Sequence, residues 1–80
     1  MARVRSLEQS TQSISPHNSE VDCLYAVVHQ PDGTALLHLS TFGSDQRQSK
    51  PKSSQSIQVD EDIARELVAL LEQTFPRLRH

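Results

Sequence analysis

The sequence predicts a small α+β domain: an antiparallel sheet of three or four strands, in the order β-β-β-α, with one C-terminal amphipathic helix packed on one face. Three observations predict this class. Two apolar segments flank the turn sequence Gln30-Pro31-Asp32-Gly33, and residues 54–59 alternate polar and apolar side chains. Residues 60–75 repeat apolar side chains at the spacing of an amphipathic helix.

The turn predicts how the first two strands, residues 21–29 and 34–42, pair with each other. The φ angle of Pro31 is held at about −65°, which suits the second position of a type I turn. Gly33 can then adopt the left-handed conformation of a three-residue hairpin loop with a bulge. The predicted pairs are Gln30 with Thr34, Val27 with Leu37, Tyr25 with Leu39, and Cys23 with Thr41. The apolar members of these pairs share one face, which is the predicted core: Cys23, Tyr25, Val27, Leu37 and Leu39.

The helix that follows the third strand has matching start and stop signals. Asp60 is the predicted N-cap, and Glu61 and Asp62 lie where carboxylates favour the positive end of the helix dipole. Pro76 ends the helix. We expect one side of the helix to cover the sheet residues Val27, Leu37, Leu39, Ile57 and Val59.

The composition divides the chain into one domain and two tails. Residues 1–20 are rich in Ser, Gln and Glu and contain few apolar residues, which is typical of a flexible tail. Residues 21–76 form the predicted domain, and residues 77–80 form a C-terminal tail. A domain of about 55 residues is marginally stable alone, and oligomerisation commonly stabilises a core of this size.

The helix has more apolar residues than one thin sheet can cover. We therefore expect a homodimer through the side of the helix that faces away from the sheet. The predicted interface residues are Ala64, Val68, Leu71 and Phe75.

Composition excludes several classes of function. The single cysteine, Cys23, rules out an internal disulfide and a multi-cysteine zinc site. His29 and His38 fall on opposite faces of the predicted hairpin, so they would not share a metal. No side-chain pair has the pattern of a general acid and base. The sequence therefore predicts no enzyme, no catalytic residue, no cofactor and no metal.

Neither a membrane span nor a signal peptide is predicted, because no apolar run approaches the roughly 18 residues that a span needs. We accordingly expect a cytoplasmic protein.

The connection between the second and third strands contains three cations, Arg47, Lys50 and Lys52. They lie close in sequence to Phe42 and His38. Cations that follow a phosphate backbone, together with rings that stack on bases, are typical of single-stranded nucleic-acid binding. The alternative is a solvated loop whose lysines discourage pairing at a sheet edge.

The order of these segments is similar to that of the transcriptional coactivator PC4 family of small single-stranded DNA-binding domains. The resemblance covers residues 21–75 and is carried by the hairpin, the polar basic connection, the alternating strand QSIQV, the acidic DED start and the amphipathic helix. It implies a homodimer with paired helices and a sheet that binds single-stranded DNA. This chain departs from the family in having fewer lysines and a net charge of −2.

Together these observations predict a small, non-catalytic, homodimeric binding module with single-stranded nucleic acid as its ligand. Arg47, Lys50 and Lys52 would contact phosphates, and Tyr25, His38 or Phe42 would offer a stacking surface. The alternative is a protein-interaction, inhibitor or regulatory module, such as a small phage-type protein. Its contact surface would include Leu24, Val28 and Leu36.

Overall fold

The structure is a computed structural model, and it describes residues 1–43 and 53–78. The described elements are β1 (Ala2–Arg3), β2 (Asp22–His29), β3 (Ala35–Phe42), β4 (Ser53–Val59) and α1 (Glu61–Thr74), followed by a 3₁₀ turn at Pro76–Leu78. The strands form one sheet in the order β1-β4-β3-β2. The predicted α+β class is confirmed.

The hairpin of β2 and β3 has the register that the turn predicted. Val27 pairs with Leu37, Tyr25 with Leu39, and Cys23 with Thr41. Gly33 has a φ angle of +91°, a conformation that glycine adopts without steric cost. The loop closes by two backbone hydrogen bonds, from Gln30 N–H to the Thr34 carbonyl and from Gly33 N–H to the Gln30 carbonyl.

Hydrogen bonds of the side chains of Gln30, Asp32 and Thr34 stabilise the turn. The Asp32 carboxylate accepts from the Thr34 backbone N–H at 2.9 Å and from the Thr34 hydroxyl at 2.6 Å. The Gln30 amide in turn donates to the Thr34 hydroxyl oxygen at 2.8 Å. An aspartate that bonds to the backbone two residues on is a recurrent device of turns.

The sheet has one strand that the predicted three-strand core did not include. Ala2 and Arg3 pair in parallel with Ile57 and Gln58 of β4, whereas the other two strand pairs are antiparallel. The sheet is therefore mixed rather than purely antiparallel, and it begins inside the segment that was predicted to be a tail. A two-residue parallel strand has too little sequence to show a period.

Helix α1 begins where the sequence predicted. The Asp60 carboxylate accepts from the Ile63 backbone N–H at 2.9 Å, which makes Asp60 the N-cap. Arg65 spans the first turn by contacting Asp62 at 3.0 Å and Glu61 at 3.2 Å. The helix ends with Phe75 as C-cap, immediately before Pro76.

The two faces of the sheet follow from the register. We define the odd-numbered face as the side that carries Cys23, Tyr25, Val27, Leu37, Leu39, Thr41, Gln55, Ile57 and Val59. The even-numbered face carries Asp22, Leu24, Ala26, Val28, Leu36, His38, Ser40, Phe42, Ser56 and Gln58. The sequence predicted that the odd-numbered face is the core.

That prediction was wrong for most of the odd-numbered face. The buried residues of β3 are Leu36 and Ser40, both on the even-numbered face. On the odd-numbered face Val59 is buried, but Tyr25 is 75% exposed and Val27 is 58% exposed. Leu37 and Ile57 are also exposed, and Leu39 is half-buried. Helix α1 therefore leaves exposed most of the sheet residues that we expected it to cover.

The buried apolar core within the described residues consists of Leu36, Val59 and Ile63. Ile63 is the one buried residue of α1, and the later apolar residues Leu70, Leu71 and Phe75 are exposed. The helix is consequently anchored at its first turn, while its C-terminal half presents apolar side chains to solvent.

Replacing Ile63 by alanine should destabilise the fold far more than replacing Val68, which is 53% exposed. A buried Ile→Ala change costs about 2–5 kcal/mol, because it removes apolar contacts and leaves a cavity. An exposed truncation costs about 0.5 kcal/mol or less. Urea unfolding followed by circular dichroism measures both. A larger loss for Val68→Ala would place the packed side of the helix at the predicted dimer residues instead.

Candidate functional site

The three cations of the predicted nucleic-acid site, Arg47, Lys50 and Lys52, lie outside the described residues. The three predicted stacking residues are described, and they do not form one surface. His38 and Phe42 lie on the even-numbered face and are half-buried, whereas Tyr25 lies on the odd-numbered face. A ligand strand that stacks on Tyr25 would therefore not reach the other two rings. The expectation that Tyr25 points into the core was also wrong, since it is 75% exposed.

His38 lies within hydrogen-bonding distance of Gln58. Its Nδ1 atom lies 3.1 Å from the Gln58 side-chain nitrogen on the adjacent strand. If the Gln58 amide donates this hydrogen bond, Nδ1 is the acceptor and the imidazole proton is on Nε2. His38 thus contributes to cross-strand pairing on the even-numbered face.

Three of the predicted dimer-interface residues, Ala64, Val68 and Leu71, lie on α1, and the fourth, Phe75, is its C-cap. Ala64 is half-buried, and Val68, Leu71 and Phe75 are between 40% and 55% exposed. No part of the chain that the structure describes covers them fully. The interface itself stays a prediction, although the side chains have the accessibility that an interface requires.

The exposed surface of the chain is large for its mass. The total accessible area is 7635 Å², against about 4,900 Å² for a compact folded monomer of 9.0 kDa. Part of the excess comes from residues 8–20, all of which are exposed. The rest includes the exposed apolar side chains of the odd-numbered face and of α1. Contiguous exposed apolar side chains mark interaction sites.

An open groove lies at the end of the sheet where the hairpin turns and the helix begins. We call it the turn-end groove. Its volume is about 820 Å³. Its apolar lining includes Val27, Leu37, Val59 and Ala64, and its acidic lining comes from Asp32, Asp60, Glu61 and Asp62. Segments far apart in sequence therefore bring apolar side chains and carboxylates to one place.

Two arginines offset part of this negative charge. Arg3 contacts Asp60 at 3.4 Å and the Gln30 side-chain oxygen at 3.4 Å, and Arg65 contacts Glu61 and Asp62. These ion pairs are solvent-exposed, so each contributes little to stability. Four carboxylates against two guanidinium groups leave the groove with a net negative charge.

The carboxylates at the two ends of the groove are held in their ionised form. Hydrogen bonds from the Thr34 hydroxyl and backbone lower the pKa of Asp32. The hydrogen bond from the Ile63 backbone N–H lowers the pKa of Asp60, and Arg3 lowers it further. Both groups therefore stay charged at neutral pH and below it.

The part of the chain that the structure describes contains no group of three or more His, Cys, Asp or Glu side chains arranged to hold a metal ion. Cys23 is exposed on the odd-numbered face. In the same part of the chain, no helix has both the length and the apolar character to cross a membrane.

Sequence reasoning did not identify the turn-end groove, although each of its parts was recognised. The Pro-Asp-Gly turn and the Asp-Glu-Asp helix start are both visible as motifs. The missing information was their proximity, which follows once Val59 pairs with Leu37 and brings the end of β4 beside the hairpin turn.

Comparison of the chain with protein-family models, curated proteins and solved structures found no match. The resemblance to the PC4 family, and the nucleic-acid binding that it implies, stay predictions.

Removing the charge of Asp60 should make the free energy of unfolding fall less steeply as the pH is lowered. Because the folded-state pKa lies below the ordinary 3.8, ionised Asp60 stabilises the fold above that pH, and the contribution is lost as pH falls through the folded pKa. Asp60→Asn keeps an N-cap acceptor without the titration. Urea midpoints measured between about pH 5 and pH 2 should fall less steeply for the variant.

The control for this experiment is Glu20→Gln, which removes a carboxylate from the exposed segment before β2. Its profile should follow that of the parent. Equal slopes for the parent and Asp60→Asn would show that the cap carboxylate does not contribute to the acid transition.

Proposed function

We propose that the protein is a small, non-catalytic binding module that works as a homodimer, and that its ligand is a protein segment with apolar and cationic side chains. The observation that carries this proposal is the turn-end groove, where an apolar lining meets four carboxylates. Apolar contact supplies the affinity of such a site, and charge complementarity supplies the orientation of its ligand.

The exposed apolar side chains support a protein ligand rather than a nucleic acid. Val27 and Leu37 belong both to the groove and to the odd-numbered face, which continues through Tyr25 and Ile57. Aromatic and aliphatic side chains of this kind form the central part of protein interfaces. A polar, cationic surface would be expected for a phosphate backbone.

The charge of the described residues supports the same choice. Residues 1–43 and 53–78 carry nine acidic side chains, four arginines and no lysine. Two of those arginines, Arg3 and Arg65, already contact carboxylates. The negative potential of these residues attracts a ligand with cationic side chains, whereas it repels a polyanion.

The homodimer is supported by the imbalance between core and surface. The described residues bury three apolar side chains, whereas Tyr25, Val27 and Val68 are each more than half exposed. A second copy would bury apolar surface that a single chain leaves in water.

Single-stranded nucleic acid is the second candidate, and one observation favours it. In the sequence, Arg47, Lys50 and Lys52 precede β4. Strand β4 has seven residues, so its first residue lies about 20 Å from the acidic helix start, more than the Debye length of about 8 Å at physiological salt. The carboxylates of the helix start would thus be screened from phosphates bound at the start of β4.

The protein-ligand proposal predicts selective binding of a basic amphipathic peptide. The probe is a fluorescent peptide of leucine and lysine, compared with a peptide that has glutamate in place of lysine. Val27→Thr should weaken binding of the lysine peptide about five- to tenfold, because it removes apolar contact from the groove. Leu24→Thr is the matched control: Leu24 is also on β2 and also 58% exposed, but on the even-numbered face. Fluorescence anisotropy gives the dissociation constants.

Equal affinity for the two peptides, or no binding at about 1 mM peptide, would remove this proposal. Equal losses for Val27→Thr and Leu24→Thr would show that the groove is not the binding site.

The nucleic-acid candidate predicts a steep salt dependence. Three cations per chain, doubled in a dimer, would release counterions from about six phosphates, so the slope of log K against log salt should be about −4 for a single strand. Replacing Arg47, Lys50 and Lys52 by alanine should flatten this slope and weaken binding to all sequences alike. Titration of a labelled oligonucleotide at several salt concentrations measures it, and no binding at about 50 mM salt removes the candidate.

A further inference from the structure

Strand β2 forms an open edge of the sheet. It is the last strand in the order β1-β4-β3-β2, and all eight of its residues, Asp22–His29, are exposed. Side chains on both of its faces are accessible: Leu24 is 58% exposed on one face, and Tyr25 is 75% exposed on the other. The opposite edge is different, because the two-residue β1 lies against β4.

The backbone of this edge has unused hydrogen-bonding groups in a regular pattern. Gln30 N–H bonds to the Thr34 carbonyl, and hydrogen-bonded and non-hydrogen-bonded pairs alternate along an antiparallel ladder. The residues of β2 at even positions therefore bond to β3. The odd positions direct their N–H and C=O groups away from β3, to the open edge. These positions are Cys23, Tyr25, Val27 and His29.

The edge also has none of the features by which proteins block strand pairing. Residues 23–28 contain no lysine, arginine, proline or glycine, and the pairing of β2 with β3 runs through all eight residues without a bulge. A long, regular, apolar edge strand is a template for another strand.

We propose that β2 pairs antiparallel with β2 of a second copy of this chain, across a two-fold axis at Ala26. The inference rests on the proposed homodimer and specifies its interface. The register follows from the backbone pattern, because hydrogen-bonded pairs must join odd positions to odd positions. One register uses all four odd positions. In it Cys23 pairs with the partner's His29, and Tyr25 pairs with the partner's Val27. It places Ala26 opposite the partner's Ala26 in a non-hydrogen-bonded pair.

Side chains along β2 suit this arrangement. Tyr25 beside the partner's Val27 is an aromatic and β-branched pair, a combination that stabilises neighbouring strands. On the other face Leu24 lies beside the partner's Val28. The one acidic residue of β2 is Asp22, which lies opposite the partner's Gln30 at the end of the shared ladder. In-register parallel pairing would instead place the two Asp22 carboxylates side by side, and like charges directly opposite each other are destabilising. This difference favours an antiparallel second copy.

The pairing accounts for part of the large exposed area. It joins two four-stranded sheets into one and removes both open edges, which a single chain cannot do. The two odd-numbered faces become one surface with the Tyr25 side chains near its centre. Val27 of the turn-end groove lies beside the partner's Tyr25, whereas the part of the groove lined by Val59, Asp60 and Ala64 is outside the shared ladder.

Disulfide trapping tests this register. Every variant carries Cys23→Ser, which removes the exposed native thiol. Residues in a non-hydrogen-bonded antiparallel pair have Cα atoms about 4.5 Å apart, within the range of about 4.4–6.8 Å that a disulfide spans. Ala26→Cys should thus give a disulfide-linked dimer in nearly full yield on mild oxidation, seen on a non-reducing gel.

Leu24→Cys and Val28→Cys are the matched controls. In the proposed register each lies about 13 Å from its own symmetry mate, so neither should cross-link alone. A mixture of the two variants should cross-link, because Leu24 faces the partner's Val28. This pair keeps the inference testable if the change at Ala26 disturbs folding, which circular dichroism of each variant would reveal.

Three results would overturn the inference. A dimeric mass by light scattering with no cross-link at Ala26 or in the mixture would remove the β2 interface while leaving the homodimer. A cross-link of Val68→Cys in place of Ala26→Cys would put the interface on the helix. A monomeric mass at about 100 µM would remove the homodimer as well. Peptide binding is measured separately, so failure of the interface and failure of the ligand proposal are distinguishable.

Discussion

The hairpin turn is the constraint on which the rest of this structure depends. Gly33 takes a positive φ that other residues adopt only at a cost, and the hydrogen bonds from Thr34 to Asp32 hold the loop in that shape. The loop determines that Val27 pairs with Leu37. A slip of one residue would exchange the faces of the whole strand. It would also change which backbone groups point to the open edge.

The register has a direct consequence for the core. A single sheet has two faces, and this chain has one helix of 14 residues among its described elements. The even-numbered face holds the buried Leu36 and Ser40, and the Ser40 hydroxyl lies 3.4 Å from the Leu24 carbonyl. Most of the odd-numbered face is left in water. An apolar face that the described residues do not cover is the physical reason to look for a second molecule.

The proposed surfaces are related through one strand. Strand β2 provides Val27 to the turn-end groove, Tyr25 to the odd-numbered face and its outer backbone to the proposed dimer. Pairing at the edge would double the odd-numbered face and place the partner's Tyr25 beside Val27, at the margin of the groove. A dimer built in this way would present two identical acidic grooves, and two linked sites increase the avidity for a ligand that can reach both.

The features that the sequence determined by itself are local ones. The hairpin register followed from Pro31 and Gly33, and the helix start followed from Asp60, because turn and cap chemistry involves residues only a few positions apart. The apolar period of α1 likewise predicted its length to within one residue at each end. These features do not depend on what the segment packs against.

The tertiary structure decided which surfaces are buried. Tyr25, Val27 and Leu37 have the alternation of a core face and are nevertheless exposed, while Leu36 on the half-polar face is buried. Alternation predicts that two faces differ, but not which one another element covers. The short β1 and the turn-end groove also depend on segments distant in sequence, which come together only when β4 is placed between β1 and β3. Local chemistry therefore determined the shape of each element, and long-range packing, which has no local signal, determined what each element touches.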